Sequence, residues 1–413
     1  MNLFRILKIA KLNWCYLLQI LMELGNLVHI CYILWKFKSP NNFTGMGGAE
    51  NQLLKMVKQI ESKDNLQITI IAKQTPNDPS YEEISKNRNI YRLKVSKIPI
   101  VSMLIFMIAL FFKVMKINKH KKIDLIHLPL PDAFILIVYF LRLVLKIPVI
   151  SRVAADELYP YDKGSYWLVN RLLVRKFMLK LDGIQTLNPI AERYAKYLGY
   201  PENRIFLIPN GTLIPKNPKD YQKLSYTLLY IGAMRFNPEK DIKEQKNLLM
   251  LIDTFNDLSK LDERFKLLLV GDGNFHPTLE KKVKELGIES RVTFTGYQIN
   301  IQKYHEIADI FINPSWKEGM PNAVVEAMAS GLVVMCSDIP EHQFVIRNQV
   351  NGILFDNSNK KDLMKNILAF YDSKEKYIQI GAKARQYVIE HLSIEKTVEA
   401  IFTMYLKYLV REK

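Results

Sequence analysis

Two glutamates near residue 320 have the spacing that most clearly suggests chemistry. The chain reads Asn-Pro-Ser-Trp-Lys-Glu-Gly-Met-Pro-Asn-Ala-Val-Val-Glu from 313 to 326, which places Glu318 and Glu326 eight positions apart. The pattern predicts a strand, a tight loop and a helix that begins near Pro321, where the missing N–H costs nothing. A helix N-terminus can hold a diphosphate, and the two carboxylates can accept hydrogen bonds from hydroxyls on either side of it. The alternative is an ordinary helix-capping loop and one solvated glutamate.

The second half of the chain alternates strands and helices, as in a parallel sheet covered by helices. We predict strands at 228–233, 266–270, 292–295, 310–313, 333–337 and 353–355. Between them we predict helices at 247–258, 278–286, 302–308 and 322–329. Glycines such as Gly271, Gly287 and Gly331 supply the turn signals. Beyond Asp356 the chain reads as helical to its end.

The first half repeats this pattern less regularly. We predict strands at 27–34, 67–71, 123–127, 148–152, 182–186 and 205–208, and a helix from Ala49. The fold class is therefore α/β, with two Rossmann-like doubly wound domains that face each other across a cleft. We divide the chain into an apolar and basic extension (1–24), an N-terminal Rossmann-like domain (25–212), a C-terminal Rossmann-like domain (213–390) and a C-terminal helix that packs back toward the first domain (391–413).

Several segments together resemble one family. Residues 313–331 resemble the E-x7-E region of retaining glycosyltransferase family 4 (glycosyltransferase group 1), whose members have the two-domain GT-B fold. Similar segments in the expected order are Gly-Met-Gly-Gly-Ala-Glu (45–50), Ile-Pro-Asn-Gly (208–211), Val-Gly-Asp-Gly (270–273), Val-Thr-Phe-Thr-Gly (292–296) and Gly-Ile-Leu-Phe (352–355). The resemblance implies transfer of a hexosyl or N-acetylhexosaminyl group from a nucleotide diphosphate-sugar to an acceptor hydroxyl with retention, in polysaccharide, lipopolysaccharide or capsule synthesis.

The resemblance makes 25–212 the acceptor domain and 213–390 the nucleotide-sugar-binding domain, and it also assigns residues to the donor. Glu318 would contact the donor sugar and Glu326 the nucleotide ribose. The backbone of the loop would hold sugar hydroxyls and phosphate, through Gly319, Met320, Pro321, Asn322 and Ala323. The nucleobase would be bound largely by backbone near Gly296 and Tyr297.

Cationic residues should neutralise the donor diphosphate as it departs. In the family an arginine and a lysine after the first strand of the second domain do this, and Arg235 fits the first role. The lysine is either Lys240, which has the usual spacing, or Lys246, which better matches the start of the next helix and which we favour. As a simpler alternative, any one lysine in so basic a chain can be a surface residue.

Three further positions are candidates in the first half. Gly47 and Gly48 would let the chain approach the phosphate and sugar without a Cβ in the way, although a Gly-Gly pair alone often marks a simple turn. The histidine that the family usually carries after the 148–152 strand is missing, because that slot reads Arg152-Val-Ala-Ala-Asp156. Asp156 is then either a polar group near the acceptor hydroxyl or a helix cap.

Metal ligands are not evident in the sequence. No Asp-x-Asp occurs, and the seven histidines are scattered without helical ligand pairs; His29 and His127 lie in apolar strand contexts typical of core histidines. We therefore expect no metal and no cofactor, with the nucleotide diphosphate-sugar as co-substrate.

Charge is distributed unevenly and leaves other classes of protein open. Residues 1–210 hold 30 Lys and Arg against 15 Asp and Glu, whereas residues 211–413 hold 28 against 26. This basic half could bind nucleic acid, but the charges are dispersed and no helix-turn-helix, zinc module or RNP-like motif accompanies them, so we expect no nucleic-acid partner. A sugar-nucleotide epimerase, which shares the two-domain architecture, is the alternative enzyme.

The same charge imbalance favours an anionic membrane surface as a partner. The longest uncharged run, 98–112, is shorter than the roughly 20 residues that a spanning helix requires, and lysines at 113, 116, 119, 121 and 122 follow it. Residues 4–22 add a further apolar and basic stretch, unless Met22 is the true start. With only three cysteines, we expect a cytoplasmic protein, peripheral at the inner face of the membrane, that modifies a lipid-linked or glycan acceptor. The alternative is a buried helix with a solvated lysine face.

Overall fold

The first half of the chain folds around an eight-stranded sheet. The computed structural model describes residues 27–37, 48–60, 66–153, 174–236 and 244–409. The strands are β1 (Val28–Lys36), β2 (Leu66–Lys73), β3 (Tyr81–Ser85), β4 (Arg88–Leu93), β5 (Leu125–Leu128), β6 (Val149–Val153), β7 (Gly183–Thr186) and β8 (Ile205–Leu207). The helices are α1 (Gly48–Gln59), α2 (Pro99–His120), α3 (Ile135–Leu145) and α4 (Pro189–Tyr197), with a 3₁₀ turn at Glu202–Arg204. The order is β3-β4-β2-β1-β5-β6-β7-β8, with only β3 and β4 antiparallel among these strands.

The second half forms a six-stranded parallel sheet. Its strands are β9 (Thr227–Ile231), β10 (Lys266–Val270), β11 (Val292–Phe294), β12 (Ile310–Asn313), β13 (Val333–Ser337) and β14 (Ile353–Phe355). The helices are α5 (Leu248–Leu261), α6 (His276–Glu285), α7 (Gln302–Ile307), α8 (Asn322–Ala329), α9 (Pro340–Gln343), α10 (Lys360–Asp372), α11 (Lys374–His391) and α12 (Ile394–Leu409). The order β11-β10-β9-β12-β13-β14 places the topological switch point between β9 and β12. The predicted pair of doubly wound domains is confirmed.

Strand β1 shows why the first sheet is covered on both faces. Ile30, Tyr32 and Leu34 belong to the core on one face, whereas Cys31 and Ile33 belong to the core on the other. Because successive side chains of a strand point to opposite faces, a continuous apolar run is what a doubly covered strand requires. Each buried Ile or Leu contributes about 1.5–3 kcal/mol relative to an exposed one.

Helix α12 returns to the first sheet. Its residues Val398, Ile401 and Tyr405 are buried in the same core as β1. Beside the start of α12, Thr212 N donates to Leu392 O at 2.9 Å and Ile394 N donates to Thr212 O at 2.8 Å. The two segments that connect the domains therefore run side by side. The predicted boundaries after residues 212 and 390 lie close to this crossing, and the extension 1–24 lies outside the described residues.

His29 and His127 are core histidines, as predicted. His29 Nε2 pairs with Thr69 Oγ1 at 2.8 Å, and His127 Nδ1 pairs with the hydroxyl of Tyr405. Burial, with a smaller contribution from the nearby charge of Arg152, lowers the pKa of His127 to about 3. The imidazole is therefore neutral in the folded protein.

The apolar run 98–112 belongs to a longer helix than its charge pattern suggested. Helix α2 continues past the first lysines to His120. In the part of the chain that the structure describes, α2 is the one helix that is long and apolar enough to cross a membrane, and 22% of its most apolar 18-residue stretch is buried. The length argument against a spanning helix was therefore wrong, because charged residues delimited the run without ending the helix.

Candidate active site

A cavity of about 360 Å³ lies between the two domains. Helix α1 of the first domain contributes Asn51, Gln52 and Lys55 to its lining. The second domain contributes Tyr230, Ile231, Gly232, Ala233, Lys246, Asn313, Glu318, Met320, Pro321, Asn322, Ala323 and Glu326. The lining residues of the second domain lie at or after the carboxyl ends of β9 and β12, where ligands bind in doubly wound sheets.

Glu318 is buried and held by three hydrogen bonds. Lys246 Nζ donates to Glu318 Oε1 at 2.7 Å, Ser315 Oγ at 2.8 Å and Asn313 Nδ2 at 3.2 Å. Burial alone would raise the pKa of Glu318, but the charge and hydrogen bond of Lys246 hold it below the usual value. Glu318 is therefore an ionised carboxylate, and all three donors reach Oε1. Among the described residues, none donates to Oε2, so this oxygen can accept a hydrogen bond from a ligand.

Lys246 is positioned by the loop that leads into α5. The carboxylate of Glu244, itself buried, accepts from Leu248 N at 2.8 Å and so caps the helix. Gln245 O accepts from Trp316 N at 2.8 Å, which fastens this loop to the one that carries Glu318. Burial raises the pKa of Glu244, although the N–H groups of α5 oppose the shift. The sequence analysis did not identify Glu244; a glutamate just before an apolar helix start was the available signal.

The N-terminus of α8 faces the same cavity. Pro321 is its N-cap residue, no side chain caps it within the described part of the chain, and Asn322 and Ala323 form its first turn. Asn322 is also tied to the first domain, because Asn210 Nδ2 donates to Asn322 Oδ1 at 3.1 Å. The exposed positive end of a helix is thus presented to a space that can hold an anion.

Glu326 lies one helical turn further along α8 and contacts the other domain. Lys55 Nζ on α1 is 2.6 Å from Glu326 Oε1. Lys55 was not identified from the sequence. Lys55 shares a face of α1 with Asn51 and Gln52, which precede it by four and three residues. This spacing of polar residues in the helix after the Gly-rich segment was the signal that could have identified it.

Further hydrogen bonds link the loop of Glu318 and the start of α8 to the first domain. Asn188, the N-cap residue of α4, donates from Nδ2 to Gly319 O at 2.5 Å. Arg152, at the slot where the expected histidine is missing, donates from Nη1 to Asn210 Oδ1 at 3.2 Å. Through Asn210, this slot is linked by hydrogen bonds to the start of α8.

Comparison with known proteins identifies the family. Residues 240–387 match the family model described as "Glycosyl transferases group 1", and residues 46–212 match "Glycosyltransferase Family 4". The chain belongs to the group 1, family 4 glycosyltransferases. Together the two matches cover most of the chain and confirm the resemblance in the motifs.

Relatives of this glycosyltransferase act on different acceptors. This chain is 28% identical over 241 residues to a poly(ribitol-phosphate) alpha-N-acetylglucosaminyltransferase of Staphylococcus aureus. The match covers 58% of this chain and 46% of the relative. The chain is 25% identical over 264 residues to the alpha-monoglucosyldiacylglycerol synthase of Streptococcus pneumoniae, covering 59% and 58%. The chain thus spans about half the length of these curated relatives.

Solved structures confirm the GT-B fold of this glycosyltransferase. The crystal structure of Anabaena Alr3699/HepE in complex with UDP and glucose superposes with a TM-score of 0.71 at 15% identity. The match covers 92% of this chain and 100% of that one.

The glycosyltransferase chain does not bring every predicted donor residue to the cavity. Arg235 follows the lining residue Ala233 by two positions, but its side chain is exposed, and it is not among the described lining residues. Gly296 and Tyr297 also lie outside that lining; Gly296 O accepts from Gly271 N at 2.9 Å, and Tyr297 is 40% exposed.

Gly271 explains how closely the loops near Gly296 are packed. Its φ is +136°, and a Cβ there would lie 1.9 Å from Gly232 O. Only glycine allows the chain after β10 to approach the end of β9 in this way. Of the remaining predicted residues, Gly48 begins α1, whereas Gly47, Asp156 and Lys240 lie outside the described residues.

Proposed function

We propose that the protein transfers a hexosyl or N-acetylhexosaminyl group from a nucleotide diphosphate-sugar to an acceptor hydroxyl, with retention of the anomeric configuration and without a metal ion. The observation that carries this is the Lys246–Glu318 ion pair beside the N-terminus of α8, in a cavity between the domains. The UDP and glucose bound by the structurally similar HepE support a nucleotide-sugar donor.

The donor would lie along the start of α8. The diphosphate would accept hydrogen bonds from the backbone at 319–323, at the positive end of the helix. Glu318 would accept from sugar hydroxyls through Oε2, and Glu326 would accept from the ribose hydroxyls. Gly47 and Gly48 would allow the first domain to approach the donor closely.

Departure of the nucleoside diphosphate would be driven electrostatically. As the bond between the anomeric carbon and the phosphate oxygen breaks, its electron pair moves to the diphosphate, where Lys246 and Arg235 would stabilise the added charge. The acceptor hydroxyl attacks from the same face, and its proton can pass to the departing phosphate oxygen or to Asp156. Since cationic side chains and a helix terminus supply the positive charge, the reaction needs no metal from this site.

A donor panel tests this function. Purified protein is incubated with UDP-, GDP- and ADP-sugars and a membrane extract as acceptor, with and without EDTA, and the nucleotides are separated by chromatography. We expect free nucleoside diphosphate from at least one donor, in equal amount with EDTA present, and an anomeric coupling constant in the product that matches the donor. A new sugar-nucleotide would instead indicate the epimerase, and no turnover of any donor would contradict both.

We further propose that the acceptor is held at a membrane, on which the first domain rests from the cytoplasmic side. Helix α2 buries Phe106, Leu110 and Val114 against the sheet, but its opposite face exposes Ile108 and Phe112, which are 60% and 67% accessible. An apolar groove of about 470 Å³ separates this face from α3. One face of α2 therefore packs on the sheet, whereas the other is open and could contact a bilayer.

Basic residues lie at the end of this apolar face. Lys116, Lys119, Lys121 and Lys122 are exposed, whereas the ammonium of Lys113 lies 3.6 Å from the ring centroid of Tyr91 and is engaged there. Apolar side chains beside four exposed lysines suit the interface of an anionic bilayer. The similarity to a synthase of a glucosylated diacylglycerol supports a lipid acceptor, and a surface polysaccharide or glycolipid is the product class that we propose.

A further inference from the structure

Lys55 and Glu326 form an ion pair that joins the two domains within the cavity. Lys55 Nζ lies 2.6 Å from Glu326 Oε1, and the side chains are 28% and 20% exposed. Lys55 belongs to α1 of the first domain and Glu326 to α8 of the second. A pair so sheltered is screened less by solvent than one on the open surface.

The pair lies close to the proposed position of the diphosphate. Asn322 begins α8 and Glu326 follows four residues later, about one turn or 5.4 Å along the axis. Lys55, bound to Glu326, is therefore about one turn from the N–H groups proposed to hold phosphate. Its flexible four-carbon stem allows the ammonium to move over such a distance.

The charges of the cavity explain when Lys55 would move. Among its described lining residues, two carboxylates are matched by two ammonium groups, Glu318 by Lys246 and Glu326 by Lys55. A donor brings a ribose whose hydroxyls donate to Glu326, together with a diphosphate that adds negative charge. Glu326 then accepts hydrogen bonds from the ribose as well as from Lys55. At the same time the diphosphate, an anion of higher charge, comes within reach of Lys55.

We propose that Lys55 is a donor-binding residue supplied by the acceptor domain. When the donor binds, the ammonium of Lys55 leaves Glu326 and binds a diphosphate oxygen instead. This rests on the proposed function, because it assumes a diphosphate at α8 and a ribose at Glu326. Its consequence is that both domains hold the donor, and that the diphosphate, more than the nucleoside, draws them together.

The test compares a nucleoside diphosphate with its own nucleoside. The diphosphate is the one among UDP, GDP and ADP that binds wild type most tightly, and the nucleoside is the corresponding uridine, guanosine or adenosine. Both affinities are measured by calorimetry and by ligand-observed NMR. Lys55→Met should weaken diphosphate binding by about tenfold or more, since it removes a charge-assisted hydrogen bond. Nucleoside binding should stay within about twofold of wild type or improve, because Glu326 is freed.

Two variants keep the result interpretable. Lys58→Met removes the same charge from an exposed position of the same helix and should leave both affinities unchanged. Lys55→Arg keeps a cation that binds phosphate well and should retain most of the diphosphate affinity, which also shows that the position tolerates substitution. If Lys55→Met changes diphosphate and nucleoside binding equally, or changes neither, Lys55 only pairs with Glu326 and the proposal is wrong. If wild type binds none of the three diphosphates, the proposed function itself fails.

Discussion

Lys246 Nζ donates to Glu318 Oε1 at 2.7 Å, although 72 residues separate them along the chain. Lys246 lies in the loop after β9 and Glu318 in the loop after β12, and these two strands are neighbours in the second sheet. The strand order therefore creates the pair at the switch point. A bound diphosphate at α8 would lie beside an ammonium group already held in position.

The first prediction concerns the lysine of the diphosphate. Lys246→Ala should lower kcat by about 100-fold or more, in the range of 2.7–4 kcal/mol found for loss of one electrostatic donor. Turnover of the preferred nucleotide-sugar at saturating donor measures it. Lys240→Ala is the matched control and should stay within about twofold of wild type. The opposite ranking of the two variants would assign the role to Lys240.

Arg235 provides a second prediction. Its side chain is exposed, two positions beyond the lining residue Ala233, and we propose that it stabilises the charge that develops on the departing diphosphate. Arg235→Ala should then lower kcat by a factor of the same order, about 100-fold, with a smaller change in KM. Arg264→Ala removes an exposed arginine that pairs with Asp262, and should leave kcat unchanged. Equal turnover by Arg235→Ala and wild type would remove Arg235 from the mechanism.

The strands that the sequence predicts best belong to the second sheet. β10, β12, β13 and β14 begin and end at the predicted residues, because apolar runs between turn signals leave little choice of boundary. The hairpin β3–β4 was missed. Its strand β3 is a partly exposed edge strand, Tyr-Glu-Glu-Ile-Ser, whose composition carries no such signal.

The site was predictable only where a motif lies within one segment. Glu318 and Glu326 share a loop and a helix, so their spacing is visible in the sequence. Lys55 and Glu326 are 271 residues apart, and Asn210 and Asn322 are 112 apart. Such pairs depend on how two domains face each other, which no local pattern encodes.

The membrane proposal predicts selective loss of lipid binding. Phe112→Glu places a charge on the exposed face of α2 and should abolish flotation with vesicles that contain anionic lipid, without changing turnover of soluble donor. Leu261→Glu alters a similarly exposed apolar residue of the second domain and should float like wild type. High salt should weaken flotation, since each lysine near the surface adds about 1 kcal/mol. Wild-type protein that stays soluble with every lipid contradicts the proposal.

His127 predicts how stability depends on pH. Its pKa is about 3 in the folded protein against 6.5 for an unperturbed histidine. Between these values the unfolded chain binds a proton that the folded chain does not, so stability falls as pH drops from 6.5 toward 3, by about 1.4 kcal/mol per pH unit for this residue. The free energy of unfolding, measured with urea at pH 7.5, 6 and 5, should fall less steeply with decreasing pH for His127→Gln than for wild type.

A control separates burial from histidine content. His391→Gln removes a histidine whose side chain is 56% exposed and serves as the control for the loss of a histidine as such. Parallel declines for all three proteins would mean that His127 is protonated in the folded state as readily as in the unfolded chain.

The most direct measurement is a crystal structure of the protein soaked or co-crystallised with its preferred nucleotide-sugar or nucleoside diphosphate. The proposed site predicts density for the diphosphate at residues 319–323, the ribose at Glu326 and the sugar at Glu318, in the cavity between the domains. Density for the nucleotide at any other place, with this cavity empty, would contradict it.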